Sequence, residues 1–208
     1  TAHAVSAASI EERIANATSA APMVIGKDAT ILDWPTEAGG PMVVLREGTN
    51  GWICITDWAV SPGNDPMCVD SMFAKWNDAL GAGAPLTVDR PGVAYMLAGG
   101  SDPSNTDPFA MEPAAGEEWI STPPHLMLLA PGGFDPADFS NTPKQDEPYI
   151  MWDGTPYEHL MMPVVPISQD AMGDASIEMQ SAMSSAPLAI ASNATVMGNP
   201  TTEGGDMV

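Results

Sequence analysis

The order of apolar and polar positions predicts a mixture of short helices and strands. Ser9-Ile10-Glu11-Glu12 has the form of a capping box, so a helix is predicted from Ile10 to Ala20, with Pro22 marking its exit. Ala29-Thr30-Ile31-Leu32-Asp33-Trp34 reads as a short strand ended by Pro35. Met42-Val43-Val44-Leu45-Arg46 and Trp52-Ile53-Cys54-Ile55-Thr56 flank Gly48-Thr49-Asn50-Gly51. Asn-Gly readily supplies the positive backbone angles of a tight turn, so these two runs predict a hairpin. A second helix is predicted with Asp65 as N-cap and Pro66 at its first position. Cys68, Met72, Trp76 and Leu80 then recur every four residues before Gly81 and would face the core.

From Gly92 onward the apolar runs are short and unbroken: Val93-Ala94-Tyr95-Met96-Leu97, Leu126-Met127-Leu128-Leu129 and Tyr149-Ile150-Met151-Trp152. Runs without alternation predict strands buried on both faces. The stretches from Gly99 to Pro108 and from Pro131 to Pro148 are proline-rich, acidic and too long for ordinary connections, which makes them candidate contact loops. The expected class is α+β: a small, mainly antiparallel sheet with two or three helices, long Pro/Gly-rich loops and a C-terminal arm. Residues 1–165 are expected to form a single domain and residues 166–208 the arm.

The arm repeats the N-terminal segment 9–40. Ser19-Ala20-Ala21-Pro22-Met23-Val24-Ile25 corresponds to Ser184-Ser185-Ala186-Pro187-Leu188-Ala189-Ile190. Without a gap, Ala29-Thr30-Ile31-Leu32 then meets Ala194-Thr195-Val196-Met197, Pro35-Thr36 meets Pro200-Thr201, and Gly39-Gly40 meets Gly204-Gly205. Upstream, Ser9-Ile10-Glu11 is echoed by Ser176-Ile177-Glu178 with a two-residue difference in spacing. A helix–strand unit is therefore duplicated. Either both copies pack in one subunit, or the second docks on a neighbour as an added strand through Pro187, Leu188, Ile190, Thr195, Val196 and Met197. Such a contact is heterologous and produces a ring or an open fibre.

Composition narrows the partners. Six Lys or Arg stand against twenty-seven Asp or Glu, a formal net charge of -21, so phosphate backbones and anionic lipid surfaces are repelled and nucleic acid is not an expected partner. No apolar run approaches the roughly 20 residues of a membrane span. Six tryptophans, fifteen methionines and an apolar fraction of 44% supply material for a core. Cys54 and Cys68 suit one local disulfide in an oxidising compartment, tying the first turn of the predicted second helix to the hairpin. Thr1 in place of Met, with Ala2-His3-Ala4 nearby, fits removal of a signal peptide upstream. The expected location is secreted or extracellular, with the periplasm and the cell surface as variants.

Two sets of side chains carry candidate chemistry. His125 with Met127, and His159 with Met161, are i, i+2 pairs that share a face on a strand and together offer nitrogen and thioether donors to copper. Asp102, Asn105 and Asp107 concentrate oxygen ligands in one loop, as calcium requires, although Asx turns and caps explain the same residues. The sequence contains no nucleophile elbow, P-loop, dinucleotide fingerprint or HExxH helix, and no enzyme activity is expected. Asn16-Ala17-Thr18 and Asn193-Ala194-Thr195 fit the glycosylation pattern.

Four blocks carry a resemblance: Gly48-Thr49-Asn50-Gly51-Trp52-Ile53-Cys54, Pro62-Gly63-Asn64-Asp65-Pro66-Met67-Cys68-Val69-Asp70, Gly99 through Pro108, and Tyr149 through Tyr157. Together they resemble an uncharacterised family of secreted bacterial proteins over roughly residues 10 to 165. The resemblance implies the compartment and the single domain, and it transfers no catalytic residue. The function expected from these readings is an extracellular structural protein that self-assembles head-to-tail through its C-terminal repeat. The alternative is a secreted monomer that binds copper or calcium, with both repeats paired internally.

Overall fold

The computed structural model describes residues 8–37 and 39–164. The arm at 166–208, with Pro187, Leu188, Ile190, Thr195, Val196 and Met197, lies outside the described residues. The described part is α+β, with three helices and ten strands in two sheets.

The first helix, α1 (Ile10–Ser19), begins where the capping box places it. The Ser9 hydroxyl accepts from the Glu12 N–H at 3.1 Å, and the Glu12 carboxylate accepts from the Ser9 N–H at 2.7 Å. The single turn α2 (Met23–Gly26) starts after Pro22 and leads into β1 (Thr30–Asp33). The remaining elements are β2 (Val43–Arg46), β3 (Ile53–Ile55), β4 (Met67–Val69), α3 (Ser71–Ala82), β5 (Gly92–Met96), β6 (Gly100–Asp102), β7 (Ile120–Thr122), β8 (His125–Leu129), β9 (Tyr149–Met151) and β10 (His159–Pro163). Eight strands form one sheet in the order β2-β1-β3-β4-β5-β8-β10-β9, while β6 and β7 pair separately. All neighbours are antiparallel except β1 and β3.

The predicted hairpin does not form. β2 and β3 both pair with β1, which lies between them. After β2 the chain crosses the start of β1, where Gly48 N–H donates to the Thr30 hydroxyl at 3.0 Å and Thr49 N–H to the Asp28 carbonyl at 2.8 Å. Any side chain at Gly48 would overlap the backbone of Ala29 and Thr30, so only glycine permits the crossing. Asn50 and Gly51 do form a turn, with Gly51 at φ +77, but Asn50 serves it by bonding Trp52 N–H and the Ile25 carbonyl.

The second predicted helix starts later than Asp65 and Pro66. Asp70 is the N-cap, its carboxylate accepting from Met72 N–H at 2.9 Å and Phe73 N–H at 2.8 Å. Met67, Cys68 and Val69 are extended because they fill the gap between β3 and β5 and pair with both. The disulfide Cys54–Cys68 is present, but it joins directly opposed residues of β3 and β4, with Cα atoms 4.0 Å apart, rather than a helix and a strand.

The sheet is packed on both faces. On one, Ala17, Ala20 and Ala21 lie on Ile31, Cys54 and Cys68. On the other, Met72, Phe73 and Trp76 of α3 meet Ala94, Met127, Leu129, Tyr149 and Met161. β5 and β8 were expected to be buried on both faces, and only one face of each is. Ala94, Met96, Met127 and Leu129 are buried, whereas Val93, Tyr95, Leu126 and Leu128 are half-buried. β9 is buried throughout. The stretch Gly99 to Pro108, read as a loop, contains β6. No described helix is long and apolar enough to cross a membrane.

Candidate functional site

β1, β3, β5 and β10 run the same way, so Asp33, Ile55, Met96 and Pro163 end on one rim of the sheet. The connections leaving this rim carry most of the buried polar side chains. Asp65 accepts from Ser101 N–H at 2.8 Å and from the Ser61 hydroxyl, and its own N–H donates to Asp57 at 2.7 Å. Burial, with the Asp57 charge as a smaller contributor, raises the Asp65 carboxyl above its ordinary range. Asp102, on β6, is pushed up to about 7, chiefly by burial and secondarily by Asp65.

Below this pair lies the face that bears the histidines. His125 is 1% exposed, and its Nδ1 sits 2.7 Å from the Pro123 carbonyl. A carbonyl only accepts, so Nδ1 carries the proton and Nε2 is left with a free lone pair. Burial lowers the pKa of His125 to about 4, which keeps the ring neutral. Among the described residues, buried Nε2 has no hydrogen-bond partner, and the same holds for Asn105 Oδ1. Such orphans are uncommon in protein interiors and mark places where water or a ligand belongs. Burial pushes the Tyr149 phenol up to about 12, with Asp102 adding to the effect.

His159 is held in the same way, Nδ1 lying 3.0 Å from the Tyr157 carbonyl, and burial lowers it to about 4. Its surroundings differ. The ring meets Trp76 at 5.2 Å and Trp152 at 5.1 Å, both near-perpendicular, while the two indoles stack at 5.6 Å. Trp152 adopts φ 58, a costly conformation for a tryptophan, and is fixed by bonds to the carbonyls of Asn105 and Ser104, each at 2.9 Å.

The pairing register fixes how the candidate copper residues relate. Met127 lies opposite Met161, His125 opposite Met96 on β5 and Pro163 on β10, and His159 opposite Met151. The two histidines therefore share a face with two methionines between them, about four residues apart along the strand direction, or roughly 13 Å at the backbone. The oxygen-rich loop is not gathered into one cluster. Asn105 donates to the carbonyls of Asn141 at 2.8 Å and Ile150 at 3.3 Å, and Asp107 accepts from Phe109 N–H as an Asx turn. Among the described residues no three His, Cys, Asp or Glu side chains converge as a metal-binding group. Asn16 is also engaged, donating to Asn64 and accepting from Asp57 N–H, so its amide is committed to the fold.

No family model, curated protein or solved structure matches the chain. Function therefore rests on the site and the surfaces. Sequence reading missed Met96 and Tyr149, because each joins the histidine face only through strand pairing. One surface feature concerns assembly. β2 is an edge strand with Val43 37% and Val44 51% exposed, and no described strand pairs with its outer side.

Proposed function

We propose that this is an extracellular structural protein that assembles head-to-tail, its C-terminal repeat engaging the next unit. The observation that carries this reading is the open edge of β2. Edge strands are usually blunted by lysine, proline or a covering loop, whereas this one presents two valines to solvent. Within the domain β2 pairs antiparallel with β1, and Ala194-Thr195-Val196-Met197 copies the sequence that enters β1. A second β1-like strand added to the free side of β2 would repeat an arrangement this sequence already makes. Pro187, Leu188 and Ile190 would accompany it as the counterparts of Pro22, Met23 and Ile25. The Cys54–Cys68 disulfide supports an oxidising compartment.

A second reading is favoured by the spacing of the repeat. From Ser184 onward every residue stands 165 positions after its partner, and the correspondence continues to Met207-Val208, which match Met42-Val43. The period is slightly longer than the described domain of residues 8–164, as expected if 184–208 opens a second domain of the same kind and the units are joined covalently.

Light scattering and negative-stain imaging of the 208-residue chain test the first reading. Fibres or a ladder of masses are expected, with Val44→Lys and Thr195→Pro each returning the chain to a monomer. Equal assembly by a chain ending at Val165 would remove it. The intact mass of the protein from its natural source tests the second: a value near 21.7 kDa rules out further units.

A further inference from the structure

We propose that His125, Met96 and Met127 form a binding site for copper(I) beneath the β6–β7 pair. This site is independent of the assembly reading and differs from a centre that uses both histidines.

Three observations carry it. The first is the state of His125, whose Nδ1–H is committed to the Pro123 carbonyl while Nε2 is deprotonated, buried and unpartnered. Metal-bound histidines characteristically show this arrangement, one ring nitrogen held by a carbonyl and the other free to ligate. The second is the pairing register. Met96 lies directly across from His125, where side-chain roots stand roughly 4.5–5.5 Å apart, and Met127 follows two residues along on the same face. All three are at most 8% exposed. The third is a point of closure at Gly100. A methyl group placed there would lie 3.0 Å from Met96 Cε, 3.4 Å from Asp65 Oδ1 and 3.8 Å from His125 Cε1, the ring carbon between the two nitrogens. The end of the Met96 side chain, the His125 ring and the Asp65 carboxylate thus converge beneath one backbone position.

One neutral imidazole and two thioethers are a soft, uncharged donor set. It suits a monovalent soft cation and discriminates against calcium, magnesium and manganese, which require oxygen. The positive charge brought in would be balanced by Asp65, whose Oδ1 lies beside the same point. Met161, opposite Met127, provides a further thioether on the same face.

The test is competition for copper(I) between the full chain and a coloured copper(I) chelator, without oxygen and with excess ascorbate, followed by X-ray absorption at the copper edge. One equivalent should bind, with both nitrogen and sulfur in the first shell. His125→Leu should abolish binding and Met96→Leu should weaken it by at least roughly tenfold, while Met151→Leu and His159→Gln leave it unchanged. Each variant is checked for a native unfolding transition. If His125→Leu does not fold, Met96→Leu and the sulfur signal decide the matter. No binding by the unaltered chain, undiminished binding by His125→Leu or Met96→Leu, loss with His159→Gln, or a first shell without sulfur would overturn the proposal.

Discussion

On one face of the sheet α1 approaches closely through Ala17, with Ala20 and Ala21 just beyond its end, set against Ile31 and the Cys54–Cys68 bridge. On the other, α3 meets the sheet through Met72, Phe73 and Trp76, which interlock with Trp152, Tyr157, Met127 and Met161. Small side chains bury little area each, so the first face gains from close backbone approach and from the covalent link between β3 and β4. The second face gains from aromatic area, and it encloses both imidazoles and the Tyr149 phenol among large side chains. A stapled half and a packed half share one sheet: both buried histidines and Tyr149 fall on the packed face, while buried Asp33 lies on the α1 side beside Arg13.

The α3 face should show the largest loss of stability on substitution. Trp76→Ala removes a stacked indole and the bond from Nε1 to the Tyr157 carbonyl, and should cost about 3–5 kcal/mol in urea unfolding. On the α1 face the largest effect should come from the bridge. Replacing both Cys54 and Cys68 by alanine should cost about 3 kcal/mol, and a reductant should lower the midpoint of the unaltered chain while leaving that of the double variant unchanged.

Titration should sharpen the contrast. His125 and His159 titrate near 4 when folded and near 6.5 when unfolded, so the unfolded chain binds more protons and stability falls as pH drops from 6.5 through 4. Asp102 acts in the opposite sense. Its folded pKa, near 7, lies above the ordinary 3.8, so its contribution is fully present below 3.8 and is lost as pH rises through 7. Asp102→Asn should therefore raise the unfolding midpoint at pH 8 more than at pH 4, a difference that thermal melts at the two pH values would measure. The smallest effect belongs to the entry of α1, where Ser9→Ala should cost about 1 kcal/mol by loss of the cap.

Local signals were legible where one residue decides the outcome. Ser9 and Glu12 mark the start of α1, and the apolar runs from Val93, Leu126 and Tyr149 each coincide with a strand. The failures share one cause, partners distant in sequence. Asp65 has the chemistry of a cap, yet it is recruited by Ser101, thirty-six positions away. The Asn50-Gly51 turn is real, but β1 had already taken the place between the strands it joins. Met96 meets His125 only through the β5–β8 register, which spacing does not reveal.

The common direction of β1 and β10 has a mechanical consequence. Arg13 of α1 bridges Asp33 at the end of β1, and Val164 N–H holds the Pro124 carbonyl just beyond β10. The chain therefore enters and leaves on one rim, five strand spacings apart, or about 24 Å. Tension applied through those points would peel strands apart one ladder bond at a time instead of shearing a whole ladder at once. Peeling from the α1 side would halt where Cys54 is bonded to Cys68. From β10 no covalent stop intervenes before β4, so under load the packed half would yield first.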